Sequence, residues 1–180
     1  MDWKTCLEQR PVIVAVAGSN GAGKTTFFNT QLADTGLRFI NADEIALELG
    51  VDAYEAAKLA DSLRRALVAR KESFAFETVF SDPVGEKVGF LKEAKEQGYQ
   101  VALIFIRIAD VETSKQRVSM RVMKGGHDVP DEKLGQRFER TLANLRRAID
   151  SLPLVVVFDN SDMSRPYQLE AIYQNGTTIK

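Results

Sequence analysis

GSNGAGKT, residues 18–25, has the spacing GxxxxGK[ST] and falls between the apolar run VIVAVA (Val12 to Ala17) and TFFNTQLA. Glycines in a turn that ends a buried strand and opens a helix read as a phosphate-binding loop. Gly18, Gly21 and Gly23 let the backbone curl so that successive N–H groups converge on phosphate oxygens at the positive end of the helix. Lys24 then sets a point charge against the β and γ phosphates, and the Thr25 hydroxyl supplies one place in an octahedral Mg²⁺ shell. The expected cofactors are therefore ATP and Mg²⁺, bound by Gly18, Ser19, Asn20, Gly21, Ala22, Gly23, Lys24, Thr25 and Thr26. A glycine-rich connector without a ligand is the plain alternative. The complete eight-residue pattern in its strand–helix setting argues against it.

The frame around the loop is narrow. A chain of 180 residues suits one domain, 1–180, with a sizeable core and little room for a second independent one. With 24 Lys+Arg against 25 Asp+Glu, the net charge of -1 gives no global field toward nucleic acid or an acidic membrane. The one cysteine, Cys6, cannot form an internal disulfide, and the opening MDWKTCLEQRP is charged where an export signal needs an apolar run. A cytoplasmic setting is expected. Runs such as VALIFI and LVVVF are strand-length and well short of the ~20 residues that cross a bilayer.

Short apolar runs alternate with helical patterns. Strands are predicted at 12–17, 37–41, 74–78, 100–108 and 154–158, nearly apolar throughout, as in a parallel sheet covered on both faces. Residues 53–70 place Ala56, Leu59, Ala60, Leu63, Ala66 and Leu67 on one helical stripe. A further helix is predicted over 83–97, from Pro83 after Asp82 to the stop at Gly98. The tail, with its Asn175-Gly176 turn, reads as a small antiparallel hairpin over 167–180. The fold class is α/β: a doubly wound parallel five-stranded sheet of the P-loop kinase type, order 2-3-1-4-5, with a helical lid and a small C-terminal β-hairpin.

The guanine-reading NKxD and the transporter signature LSGGQ are both missing. A phosphotransferase also needs a base for the acceptor hydroxyl, cations for the transferred group and a cover that excludes water. Asp43 follows the second strand in FINAD and so lies at the ligand crevice, where it can take a hydroxyl proton. The competing reading makes Asn41 or Asp43 a helix cap with Glu44 completing a capping box, and both roles can coexist. Asn41 joins Asp43 as a substrate-side candidate. Glu77 and Thr78 end the third strand at the same edge, with Glu77 holding Mg²⁺ or the acceptor. Asp159, closing VVVFD, is the competing metal acid; by position Glu77 is favoured and Asp159, Asn160 and Ser161 are assigned to the adenine side.

Residues 111–147 supply the cations. Arg117 and Arg121 share one helical face, KGGHDVP interrupts the helix, and Arg137 and Arg140 share a face on the next. Helix, loop, helix with inward arginines is the build of a lid over a triphosphate. Arg146, Arg147, Lys133 and Lys124 read as solvated surface, and the lone His127 as a loop residue.

AGSNGAGKTT, NADEIA, SFAFETVFSDPVGEKVGFLKEAKEQGY, IFIRIAD, SKQRVSMRVMKGGHDVP with RFERTLANLRRAI, and VVVFDNSD together resemble the compact, chromosomally encoded branch of the zeta-toxin family. The resemblance runs from about Val12 to Lys180. It implies a P-loop kinase that moves the ATP γ-phosphate to the 3′-hydroxyl of the amino sugar in UDP-N-acetylglucosamine. Lys24 is then the loop lysine, Asp43 the base, Glu77 a substrate or metal contact, and Arg121 and Arg137 the arginines that meet the transferred phosphate; a helical antitoxin is the implied partner. Three other readings stay open: a kinase of a nucleoside, antibiotic or polynucleotide end, a nucleotide-gated interaction module, and a bare ATPase.

Overall fold

The computed structural model describes residues 3–123 and 129–180. Its sheet has seven strands: β1 (Val12–Ala17), β2 (Arg38–Ile40), β3 (Phe74–Thr78), β4 (Gln100–Arg107), β5 (Leu154–Asp159), β6 (Gln168–Gln174) and β7 (Thr177–Thr178). Their order is β2-β3-β1-β4-β5-β6-β7. The first five are parallel, in the order read from the sequence, and β6 and β7 add the antiparallel hairpin at the edge beyond β5.

Period-two alternation explains why β1 is apolar at every position. Ile13, Ala15 and Ala17 enter a core with Phe74, Phe76, Leu103 and Phe105 under helices α3 (Ala53–Ala69), α4 (Glu86–Glu96) and α6 (Asp131–Ser151). Val12, Val14 and Val16 enter the opposite core with Ala75, Ile104 and Val156, closed by Trp3, Leu7, Phe27 and Leu32. The helix after the loop is short: α1 (Lys24–Phe27) continues as a π-helical turn, Phe28–Leu32. The remaining helices are α2 (Ala42–Leu49) and α5 (Val111–Met123).

Two expectations need correction. The α4 helix begins at Glu86, because Gly85 takes a left-handed conformation (φ 80°) that no helix interior admits, and the Asp82 carboxylate receives the Glu86 N–H in front of it. On α3 the buried stripe is Ala56, Ala60, Arg64, Leu67 and Val68, whereas Leu59, Leu63 and Ala66 stay exposed. Steps of four residues from Ala56 lead to Arg64, which is admitted because Asp61 pairs with it at 2.9 Å and the Phe76 ring lies 5.0 Å beneath its guanidinium. Among the described residues no helix is long and apolar enough to cross a membrane. Lys124, Gly125, Gly126 and His127, placed by the sequence in the interhelical loop, lie outside the described residues.

Candidate active site

The loop after β1 is set by what holds its carbonyls. The Ser19 carbonyl accepts from the Lys24 ammonium at 3.0 Å and from Ala22 N–H at 3.2 Å. Asn20 O accepts from the Ser114 hydroxyl at 2.7 Å, Gly21 O from Arg117 at 3.4 Å, Ala22 O from the Asn160 amide at 2.8 Å, and Gly23 O from the Tyr167 hydroxyl at 2.9 Å. Four consecutive carbonyls, Asn20 to Gly23, thus have side-chain donors from outside the loop. A peptide plane is rigid and its C=O and N–H point in opposite directions, so turning carbonyls outward turns the N–H groups of Gly21, Gly23 and Lys24 inward. Two glycines are demanded by contacts as well as by φ. A Cβ at Gly18 would stand 2.4 Å from the Ile106 carbonyl, and one at Gly23 would stand 2.8 Å from both Asn160 Nδ2 and the Tyr167 hydroxyl.

Register brings the acids to this loop. Ala17, the last residue of β1, lies beside Thr78, and Val16 beside Glu77. Glu77 accepts from the Thr25 hydroxyl at 2.6 Å and from the Asn41 amide at 3.4 Å, and its other oxygen lies 3.6 Å from the Lys24 ammonium. Lys24 is 5% exposed. Burial pushes its pKa down, and the carboxylates of Glu77 and Asp43 oppose that shift. Arg121 also acts on Lys24, as a like charge that lowers its pKa, so Asp43 and Arg121 both lie within electrostatic reach of the loop lysine.

Asn41 caps α2, its side-chain oxygen accepting from the Asp43 N–H at 3.0 Å. Capping by Asn41 leaves the Asp43 side chain exposed in the first helical turn. Glu44, next along, has its carboxyl pushed up by burial and by the negative charges of Glu77 and Glu48. Thr78, read as a substrate contact, uses its hydroxyl to accept from Phe80 N–H at 3.0 Å. Thr25 and Glu77 offer two adjacent hard oxygen donors beside the loop. Among the described residues no group of three or more acids, histidines or cysteines could hold a metal alone. That set fits Mg²⁺, which binds through one or two protein oxygens together with substrate phosphates.

The arginines divide by role. Arg117, expected to face the ligand with Arg121, instead donates to the carbonyls of Gly21, Asn160 and Ser161, bracing two loops. Arg121 is exposed one turn further along α5. On α6 the Thr141 hydroxyl donates to Val79 O at 2.8 Å, and the Asn144 amide to the carbonyls of Phe80 and Asp82 at 2.9 and 2.8 Å. Arg137 and Arg140 precede Thr141 and Asn144 by four residues each, so the face that docks on the segment after β3 continues into those two arginines. Arg137 is half-buried and Arg140 exposed.

Asp159 is engaged away from the loop. It accepts from Ser161 N–H and hydroxyl and lies 3.6 Å from Arg107, which also pairs with Glu170 on β6. Asn160, assigned to the cofactor side, is 4% exposed and supports the loop from behind. Sequence reading did not single out Ser114, Thr141, Asn144 or Tyr167. One signal was present: Thr141 and Asn144 sit on the same helical stripe as Leu134 and Ala148, where a polar side chain must find a partner.

Residues 51–171 match the family described as Zeta toxin. An uncharacterized protein of Haemophilus influenzae is 29% identical over 127 residues, covering 67% of this chain and 88% of that protein. Among solved structures, the AvrRxo1-ORF1:-ORF2 complex with ATP superposes with a TM-score of 0.73 at 20% identity, over 97% of this chain and 62% of the other. A putative kinase from Chloroflexus aurantiacus gives 0.61 at 18% identity, over 87% and 92% of the two chains. A chain of the PezAT chromosomal toxin–antitoxin system of Streptococcus pneumoniae gives 0.60 at 19%, over 83% and 69%. The chain therefore spans 62% of the length of the AvrRxo1 chain, and at these identities the structural likeness is one of fold. By its matched residues the chain belongs to the zeta toxin family, and it carries the P-loop kinase fold.

Proposed function

We propose that the chain, as one catalytic domain, is an ATP-dependent phosphotransferase that moves the γ-phosphate to a hydroxyl of a small metabolite, a nucleotide sugar such as UDP-N-acetylglucosamine being the acceptor. The observation that carries this reading is the contact of the Glu77 carboxylate with both Lys24 and Thr25 at the phosphate loop, with the charges of Asp43 and Arg121 acting on the same lysine. Family membership and an AvrRxo1 relative solved with ATP support it.

In this reading the loop amides and Lys24 hold the triphosphate. Asp43 accepts the proton of the acceptor hydroxyl as its oxygen bonds to the γ-phosphorus; the bond from that phosphorus to the β-phosphate oxygen breaks, and ADP leaves. Arg121, with Arg137 and Arg140 from α6, meets charge on the transferring group. Thr25 and Glu77 would hold Mg²⁺, which when bound neutralises charge on the β and γ oxygens. Asn41, by capping α2, fixes where Asp43 emerges. The described chain also leaves Leu47, Leu49, Tyr54, Leu59 and Leu63 exposed on α2 and α3, apolar surface that a helical antitoxin partner would cover, and the PezAT relative belongs to a toxin–antitoxin system.

The test is incubation with γ-labelled ATP and a panel of nucleotide sugars, nucleosides and oligonucleotides. A labelled nucleotide sugar is the expected product. Label released only as inorganic phosphate would make the protein an ATPase, and labelled oligonucleotide ends with a steep salt dependence would move it to polynucleotide kinases.

A further inference from the structure

Tyr167 stands immediately before β6, at the entrance to the C-terminal hairpin, and three observations set it apart. Its backbone is left-handed (φ 55°), a conformation that costs an L-residue energy and persists only where the surroundings fix it. Its ring meets the Phe27 ring edge to face at 5.2 Å, which aims the phenol beneath the phosphate loop. Its hydroxyl donates to the Gly23 carbonyl at 2.9 Å.

The Gly23 carbonyl does not need that donor for satisfaction. It already accepts from Phe27 N–H at 2.9 Å, in the first turn of α1. A second donor on the same oxygen serves orientation: with the carbonyl held from two directions, the Gly23–Lys24 peptide cannot rotate, and the Lys24 N–H stays turned into the nest. Asn160 does the same for the preceding peptide through Ala22 O. The space these two donors occupy is the space a Cβ at Gly23 would need, so the contact is as close as the chain permits. The hairpin carrying Tyr167 is itself fastened to the sheet by the Arg107–Glu170 pair and by its ladder with β5.

We infer that Tyr167 is a positioning residue for the triphosphate, and that the C-terminal hairpin is through it a working part of the nucleotide site. The inference rests on the proposal that this loop binds ATP, and it deepens that proposal by naming a contact from outside the loop that sets affinity.

The test uses the full chain and equilibrium titration with ATP and Mg²⁺, beside thermal unfolding. Tyr167→Phe removes one hydroxyl and keeps the ring on Phe27. ATP affinity is expected to weaken about three- to tenfold, while the unliganded melting temperature falls by no more than about 4 °C, the cost of one hydrogen bond in a chain of this size. Tyr173→Phe, in the same hairpin, is the control and is expected to bind ATP as wild type does. Unchanged ATP affinity in Tyr167→Phe, or an equal loss in Tyr173→Phe, overturns the inference while leaving the kinase reading intact. Should Tyr167→Phe unfold, amide hydrogen exchange of the wild-type chain takes its place: ATP is expected to protect residues 167–174 together with the phosphate loop, and protection confined to the loop overturns the same inference. A wild-type chain without ATP affinity overturns the kinase reading and this one with it.

Discussion

The Thr25 hydroxyl and the Glu77 carboxylate meet at 2.6 Å, joining the first turn of the loop helix to the end of the neighbouring strand. Because Glu77 also faces the buried Lys24 ammonium at 3.6 Å, one carboxylate serves the loop lysine and the loop threonine together. Glu77→Gln keeps the shape and removes the charge. Turnover is expected to fall about 10- to 100-fold at fixed Mg²⁺ and to recover in part as Mg²⁺ is raised. Steady-state rates across a Mg²⁺ series check this, and a deficit insensitive to Mg²⁺ would contradict the metal-side role.

Asp43 is exposed in the first turn of α2 while Asn41 does the capping. Asp43→Ala should therefore leave the helix and ATP affinity intact while phosphoryl transfer falls at least 10²-fold, the lower end for a lost general base. Transfer kinetics beside an ATP titration decide the matter. Retained transfer would remove Asp43 from the mechanism.

Arg121 and Lys24 divide along another line. Arg121→Ala is expected to reduce kcat by about 10³-fold with little change in ATP affinity, as for an arginine acting on developing charge. Lys24→Ala should weaken binding and turnover together. Equal losses in affinity and rate for Arg121→Ala would show ground-state binding instead.

Asn144 is fully buried and donates to the carbonyls of Phe80 and Asp82. Asn144→Ala strands both acceptors and is expected to cost about 2–4 kcal/mol of stability. Urea unfolding measures it, and a loss under about 0.5 kcal/mol, the floor for one hydrogen bond, would mean the segment finds other donors.

Asp61 gives the pH test. Burial alone would push its carboxyl up; hydrogen bonds from Arg65 and Arg64 outweigh that and hold it below the usual carboxylate range. An acid with a depressed folded pKa adds stability that is present above its unfolded value, about 3.9, and is lost as pH falls through the folded value. Asp61→Asn, which leaves the buried Arg64 without a counter-charge, should cost about 1–2 kcal/mol at neutral pH, discounted for the half-open site. The gap to wild type should close in acid. Denaturation series at pH 7 and pH 3 read the sign, and a gap that persists in acid would point to packing.

Much of this arrangement was legible in the residues alone. The covered parallel sheet follows from the apolar runs, and its strand order from the P-loop kinase type that the glycine loop after β1 implies. The hairpin was marked by Asn175-Gly176, and the Asn41 cap by its place before α2. What could not be read were contacts between residues far apart in the chain. Nothing local in SKQR says that Ser114 and Arg117 will be spent on carbonyls of residues 20 and 21, because a helical face shows direction and not what it meets. The α3 stripe misled for a related reason: a side chain's hydropathy did not show that Asp61 and Phe76 would accommodate Arg64 in the interior.

The two helices over the site are pinned at mirrored places, α5 by Ser114 and Arg117 to the phosphate loop, and α6 by Thr141 and Asn144 to the segment after β3. Arg121 lies four residues past one pin and Arg137 four residues before the other, about one helical turn each. Swinging the helix pair as a whole would tear these fastenings, so adjustment is confined to short arcs beyond the pivots. On the proposed reading, both cations ride one turn from a fixed point, and little ordering is left for the moment a ligand arrives.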